Sequence, residues 1–553
     1  MKVRNSITLT SFLVLIVFTS CTKTPRQVDY IPEGTVSVIR AYNKDMIVKT
    51  GDKGKKVTDR ILKALNEYGF NNETFDMAMS VLFEDSLQTG VNKHSDMMAY
   101  LIPSKEFRNA YKCTSLLLDD SAAFSRYLQK VKSNRYEKLE GTKNCVCYIN
   151  RNDRFSWVAY NDEVVVYGSS TIHTRGILEC VNKIFSHSRR TLARNRDFKA
   201  FLKQNDDEGI WISTTELLEC YYLWYKDLPT FLTLKSIPES ILKGNYIHAY
   251  ISFGKSTNIT FQFTPGSDFK RYWRKNKFIK KSFDPTICNW LPQNTLWFMS
   301  YALEPQNVIN LFKDTKYYDY SEKELKKLDI SMADAANSFD GNCAFSLYDI
   351  SLEKIHAFEF VQEYEYQGGM LLWNHLQKEQ KSTFPHTVVA LGLKDSKIPT
   401  MILDHISQDV CEHMGAGVYC FSKIMGFPAY VVCKGNALLL TTDKMYVDSI
   451  VKKQAVPNLA FNYGEKVQQL GAKATNFASY HYINYDVRSY PQTMKDYLAK
   501  MNVLPLVESY SSIVKSARMT INDSYSGSID IEFQDTTQNS LYQMSKLLEI
   551  IIP

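Results

Sequence analysis

The sequence predicts an α+β protein of two related lobes, each an antiparallel sheet with packed helices, and three observations lead there. Apolar residues alternate in paired segments about polar turns: Ala249, Ile251 and Phe253, then Gly254 to Thr257, then Ile259, Phe261 and Phe263. That is the pattern of a hairpin with one buried face. Between such pairs lie stretches whose apolar residues recur at helical spacing. Finally, the order of these segments repeats some 270 residues further along.

Taken in order, Thr35 to Ala41 reads as a strand, and Val57, Ile61, Leu62, Leu65 and Tyr68 fall on one side of a helix that Gly69 ends. Ser115 to Leu118 is the next strand. Asp119-Asp120-Ser121 then offers cap-type side chains before Phe124, Tyr127, Leu128 and Val131. Cys145 to Ile149, Phe155 to Tyr160 and Val164 to Tyr167 are successive strands, and a helix runs near Arg175 to Phe185. The hairpin through Gly254 closes the half.

The second half follows the same course. Ile31-Pro32 with Thr35 matches Leu291-Pro292 with Thr295, and Leu116 to Ser121 (LLLDDS) matches Leu391 to Ser396 (LGLKDS). Phe155 to Tyr167 matches Phe427 to Leu440, and the closing hairpin matches Ala517 to Phe533 with its turn at Ser524 to Gly527. The separations are 260, 275, about 273 and about 270 residues, in one order. An internal duplication is the expectation, with lobes at 31–264 and 291–553 joined by a basic, aromatic linker at 265–290.

Composition sets bounds on function. With 44% apolar residues there is ample material for packed cores, and no stretch after the N-terminal segment approaches the roughly 18 uninterrupted apolar residues of a spanning helix. Residues 1–20 have a secretory plan: Lys2 and Arg4, an apolar run from Phe12 to Phe18, then small Thr19 and Ser20 before Cys21. Their removal takes two cations and no acid, so a net charge of +7 becomes +5 on 533 residues. That mild charge argues against a dedicated polyanion binder, and nucleic acid is not an expected partner. Phe18-Thr19-Ser20-Cys21 resembles a bacterial lipobox, with Phe where Leu is usual, which implies cleavage before Cys21 and lipid on its sulfur. Residues 21–30 would then be a tether to a membrane.

The lipobox, the Ile31-Pro32-Glu33-Gly34-Thr35 start and the strand-rich two-part body together resemble the cell-envelope lipoproteins of Bacteroidota built on domains of unknown function. The resemblance brings no activity and no catalytic residues. Surface-exported members often carry acids behind the lipidated cysteine, and Thr22-Lys23-Thr24-Pro25-Arg26 has none. Thr22 also lacks the aspartate of inner-membrane retention. The resemblance therefore implies an outer-membrane lipoprotein facing the periplasm.

Chemical motifs fail at named positions. Gly254-Lys255-Ser256-Thr257 imitates the end of a phosphate-binding loop, but Ala249 stands where its first glycine belongs. Gly415-Ala416-Gly417 begins like a dinucleotide fingerprint, but Cys420 occupies the third glycine's place. His405, Cys411, His413 and Cys420 have zinc-ligand chemistry without the spacing of a zinc module. Cys145 and Cys147 lie two apart on a strand, a poor geometry for bonding one another. The acid pairs Asp119-Asp120 and Asp206-Asp207 read as solvated turns or caps. The expectation is no metal, no cofactor and no catalytic residue. The remaining ten cysteines read mostly as buried thiols, with room for one or two disulfides.

One surface signal remains. Between Phe269 and Lys281 lie seven cations interleaved with Tyr272, Trp273 and Phe278. Lys270, Arg271, Trp273, Arg274 and Lys275 are the candidate site for an anionic ligand, with anionic lipid or an envelope protein as partner. The competing reading is a linker helix with its aromatics packed and its cations solvated. The expected role is a non-catalytic binding or assembly component, with a periplasmic hydrolase acting on glycan or peptide as the alternative.

Overall fold

A computed structural model describes residues 26–41, 48–49, 56–57, 60, 78, 81–82, 86–104, 109–132, 136–152, 154–169, 174–186, 190–224, 239–280, 282–313, 315–361, 374–421, 427, 429–451, 478–522 and 525–551. The signal segment, Cys21 and most of the helix expected at 57–68 lie outside these residues. The described chain falls into two compact units. The first takes the described residues up to 224 with Leu242–Ser252, and the second takes residues 239–241 with those from Phe253 onward.

The strands of the first unit are β1 (Ser37–Ala41), β2 (Met97–Ser104), β3 (Asn109–Leu117), β4 (Tyr136–Lys138), β5 (Val146–Asn150), β6 (Ser156–Tyr160), β7 (Val164–Ser169), β8 (Glu208–Ser213) and β9 (Tyr246–Phe253, of which Phe253 is counted with the second unit). All pair antiparallel, in the order β4-β5-β6-β7-β3-β2-β1-β8-β9. Helices α1 (Ser121–Lys132) and α2 (Thr174–Phe185) cover opposite faces. Ile177, Cys180, Val181 and Ile184 of α2 pack with Trp157 and Ala159, while Phe124, Tyr127 and Leu128 of α1 pack with Val158 and Tyr160. This is why Ser156 to Tyr160 is apolar on both sides of its alternation: a strand covered twice has no solvent face. Asp120 accepts from the Ala123 N–H and caps α1 as expected. Helices α3 (Arg196–Leu202) and α4 (Thr214–Trp224) flank β8.

Residues 26–30, read as tether, form a 3-10 turn on this body. Val28 is buried, and Gln27 Nε2 donates to the Ser115 carbonyl (2.7 Å) and to its hydroxyl (2.9 Å).

The second unit contains β10 (Ser256–Thr264), α5 (Ser267–Lys275), β11 (Trp297–Ala302), α6 (Pro305–Leu311), α7 (Lys316–Lys326), α8 (Met332–Asn337), β12 (Phe339–Val361) and β13 (Asn374–Leu393). It continues with α9 (Lys397–His405), β14 (Glu412–Gly415), β15 (Val418–Cys420), β16 (Tyr430–Lys434), β17 (Ala437–Thr441), α10 (Lys444–Val451) and β18 (Ser479–Asn484). Helices α11 (Gln492–Lys500) and α12 (Leu504–Ser511), strands β19 (Val514–Ile521) and β20 (Ser526–Phe533), and α13 (Ser540–Ile551) complete it. Its strands pair antiparallel in the order β14-β15-β16-β17-β13-β12-β11-β18-β19-β20-β10. Tyr446, Val447 and Ile450 of α10 cover one face, and Leu403 of α9 joins Tyr419, Val431 and Leu438 on the other. β12 and β13 are far longer than their neighbours require: β11 engages only 342–347 and β17 only 388–392, so the two strands continue as a ribbon paired to each other alone.

Candidate functional site

The basic segment is helix α5. Asp268 in its first turn and Arg274 and Lys275 in its last complement the helix dipole, and the Asn276 N–H closes it on the Tyr272 carbonyl (3.1 Å). Residues four apart share a face, which sets Phe269 over Trp273 with stacked rings 5.8 Å apart. Phe263, Phe278 and Tyr525 pack around them, with Phe278 edge-on to Trp273 at 4.5 Å. Trp273 is buried. Lys270, Arg271, Arg274 and Lys275 are exposed, and Arg271 donates to Asp268 across one turn (2.8 Å). The candidate residues thus separate: four cations face solvent, and the ring expected beside them lies inward. Lys280 donates to the Asp340 carbonyl, and Lys281 lies outside the described residues.

The remaining candidates do not converge. His405 and His413 are exposed while Cys411 and Cys420 are buried, and His413 lies edge-on to Tyr419 at 5.0 Å. No group of three His, Cys, Asp or Glu able to hold a metal ion occurs among the described residues. Gly254 and Lys255 form a turn in which the Gly254 N–H donates to the Ser256 carbonyl.

Asp206-Asp207 is not the solvated turn expected. Asp207 is 3% exposed and receives Lys49 at 2.6 Å, and Asp206 accepts from Ser252 Oγ at 2.7 Å. Burial, with the Asp207 carboxylate beside it, pushes Glu208 up to about 7. Asp207, in the bend that precedes β8, is already committed to Lys49, so the pair does not present an acid and a free base to one substrate.

Two polar networks were not singled out from the sequence. In the first, Asp197 accepts from Trp211 Nε1 (2.9 Å) and from His248 Nε2 (2.7 Å). A carboxylate only accepts, so Nε2 carries the proton and Nδ1 is left to accept from the Tyr250 hydroxyl at 3.3 Å. Phe201 stacks on Tyr250 at 5.6 Å, and burial pushes that phenol up to about 12. The chain Tyr250–His248–Asp197 is sealed among rings and fastens α3 to β9; it offers no nucleophile to solvent. The second, Tyr348 donating to Asp443 (2.7 Å) with His386 3.7 Å away, is half-buried. The alternation Tyr246, His248, Tyr250 on one strand face was the signal for the first; nothing in sequence linked it to Asp197.

The fold and site define an antiparallel α+β protein with an outward basic helix and no assembled catalytic centre among the described residues. No helix among them is long and apolar enough to cross a membrane. The chain belongs to a family described as a domain of unknown function, DUF4836, which matches residues 29–541. No curated protein matches it. A solved structure titled "Structure of crystal form III of TP0453" is similar with a TM-score of 0.24 and 9% identity, over 47% of this chain and 89% of that one. A likeness that weak carries no argument about fold or role.

Proposed function

We propose that the protein is a lipid-anchored binding or assembly component of the Bacteroidota cell envelope, held by Cys21 at the outer membrane and facing the periplasm. The observation that carries the binding half is α5: its aromatic face is consumed by packing, which leaves Lys270, Arg271, Arg274 and Lys275 as an outward cationic face. Such a face suits lipid phosphates or an acidic envelope protein. The anchor half rests on the Phe18-Thr19-Ser20-Cys21 sequence. Flotation with vesicles tests the first: the full chain is expected to rise with phosphatidylglycerol vesicles and stay behind with phosphatidylcholine. The combined change Lys270→Glu, Arg271→Glu, Arg274→Glu and Lys275→Glu abolishes that difference; unchanged flotation discards the basic face. For the second, Cys21→Ser is expected to move the protein from membrane to soluble fraction and remove its lipid.

The hydrolase alternative has one observation in its favour, the carboxyl of Glu208 held up to about 7. Against it, Asp207, the neighbouring carboxylate, is committed to Lys49.

The same reading takes the two units as copies of one ancestral segment, and the sheet registers support it. Ser37 faces Leu101 and Ile212, as Trp297 faces Leu347 and Ile483, a separation of 260 between the central strands (37 to 297). Following the pairs outward, Ser115 takes the station of Ala390 (275), Val166 that of Leu439 (273) and Ile247 that of Ala517 (270). Thr35 Oγ1 donates to the Pro32 carbonyl, and Thr295 Oγ1 to that of Pro292. In the β10–β20 pair, Ile259 faces Ile529, and Ser256↔Glu532 becomes Gln262↔Ser526 when stations 270 apart are exchanged. An experimental structure with a different strand order in either unit would remove the duplication.

A further inference from the structure

We propose that Met299, His481 and Met519 form a binding site for a soft monovalent metal ion, Cu(I), on the sheet of the second unit. The three are directly opposite one another on adjacent strands: Met299 of β11 faces His481 of β18, which faces Met519 of β19. Side chains paired in this way rise from one face of the sheet with Cβ atoms about 5 Å apart, so the imidazole has a thioether on either side. All three are half-buried. Tyr301, two residues beyond Met299 on the same face, ties the row together: its ring stands edge-on to His481 at 5.1 Å, and its hydroxyl lies 4.0 Å from Met299 Sδ. One ring thus touches both the imidazole and the Met299 sulfur. On the other side of the imidazole ring, Ser479 Oγ, in a residue 2% exposed, lies 2.9 Å from His481 Nε2. In the tautomer whose Nε2–H donates to Ser479, the ring is held and Nδ1 keeps its lone pair, which is how metal-binding imidazoles are commonly oriented. Nδ1 has no hydrogen-bond partner among the described residues.

The donor set selects the ion. Two thioethers and a neutral imidazole carry no charge, and thioether sulfur is a soft ligand. The set therefore suits Cu(I) and offers little to Mg²⁺, Ca²⁺ or Zn²⁺, which take carboxylates, water or thiolates. Phe345 beyond Met299 and Ile529 beyond Met519 close the row, and Trp297, Ile483 and Ile521 border it on the same face. None of these neighbours is a carboxylate that would recruit a divalent ion. Methionine is unbranched, so each sulfur reaches the ion by rotation about side-chain bonds without movement of the strands. Binding exchanges the ion's solvent ligands for Nδ1 and two Sδ atoms; Nε2 keeps its proton, and the copper stays in the reduced state in which it arrives. Counted by the stations matched above, the first unit has Ile39, Ile210 and Ala249 in the same register, none with a donor atom. Aliphatic side chains meet the needs of packing there, and the second unit differs at all three stations.

The test uses the full chain with accessible thiols blocked by iodoacetamide and methionine methyls labelled with carbon-13. It is titrated without oxygen with Cu(I) and, as a redox-inert stand-in, with Ag(I). The methyl signals of Met299 and Met519, assigned from Met299→Leu and Met519→Leu, are expected to shift together and to stop moving at one equivalent. In competition with bicinchoninate, the parent is expected to retain one equivalent of Cu(I) more than the double variant Met299→Leu, Met519→Leu, a swap that nearly conserves side-chain volume and so keeps the fold. His481→Gln is expected to weaken that retention at least tenfold. Methyl signals that stay in place, or equal copper retention by parent and double variant, overturn the site and leave the row as packing only. Saturation of the same two signals by Zn²⁺ and not by Cu(I) overturns the choice of ion. EDTA, a chelator of hard divalent ions, does not report on this site.

Discussion

Glu208 occupies the first position of β8, where desolvation by burial, then the charge of Asp207, raise its carboxyl from 4.5 to about 7. Between those values the folded protein holds a proton that the unfolded chain has released. Stability therefore falls as pH rises from about 4.5 to about 7, by up to about 3 kcal/mol. Glu208→Gln removes this slope. In urea titrations the variant is expected to exceed the parent by about 3 kcal/mol near pH 8 and to equal it near pH 4. A second position is fixed by contact: Gly168 faces Trp157 across the β6–β7 pair, and a Cβ there would come within 2.0 Å of the indole. Gly168→Ala is expected to cost the first unit about 3 kcal/mol, read from its urea midpoint. Residue roles set by near neighbours were legible. Asp120 was read as a cap because the Ala123 N–H it meets is three residues away. Asp207 was misread because its partner, Lys49, is 158 positions distant.

Strands and helices were legible wherever one face alternates or a stripe recurs. β1, β5, β6, β7 and α2 fall within two residues of expectation at both ends, while β3, β9, β10, β19 and β20 end where expected and start three to six residues earlier. β4, with three residues, and β14, Glu412–Gly415 with every side chain exposed, carry no pattern to detect. The ribbon of β12 and β13 was also missed, because the pairing of one strand with another is not written in the period of either. Where elements meet, a backbone can demand glycine. Gly341 has φ +91°, and a Cβ would lie 1.9 Å from the Leu303 carbonyl oxygen, whose own N–H bonds Gly341. Gly341→Ala is expected to destabilise the second unit by about 2 kcal/mol or more in urea unfolding, through strained φ and displacement of β12 from the Leu303 turn. On α5, the competing structural reading accounts for the aromatics: Trp273 packs inward, and only the four cations remain for a ligand.

At the scale of the molecule, the candidate metal ligands are divided between surface and core: His405 and His413 outside, Cys411 and Cys420 within. Dialysis against EDTA is therefore expected to leave the melting temperature unchanged, as measured by scanning calorimetry; a drop would show a stabilising bound ion. The sequence by itself determined the α+β class, the hairpins and the helix starts, because each is written in spacing within a few dozen residues. It also confined the basic, aromatic cluster to residues 269–281. The tertiary structure alone decided that β1, a five-residue strand, has β2 and β8 as neighbours, and that Asp197 meets His248. Those contacts join residues tens to hundreds of positions apart, and periodicity states which face a residue occupies without stating what will cover it.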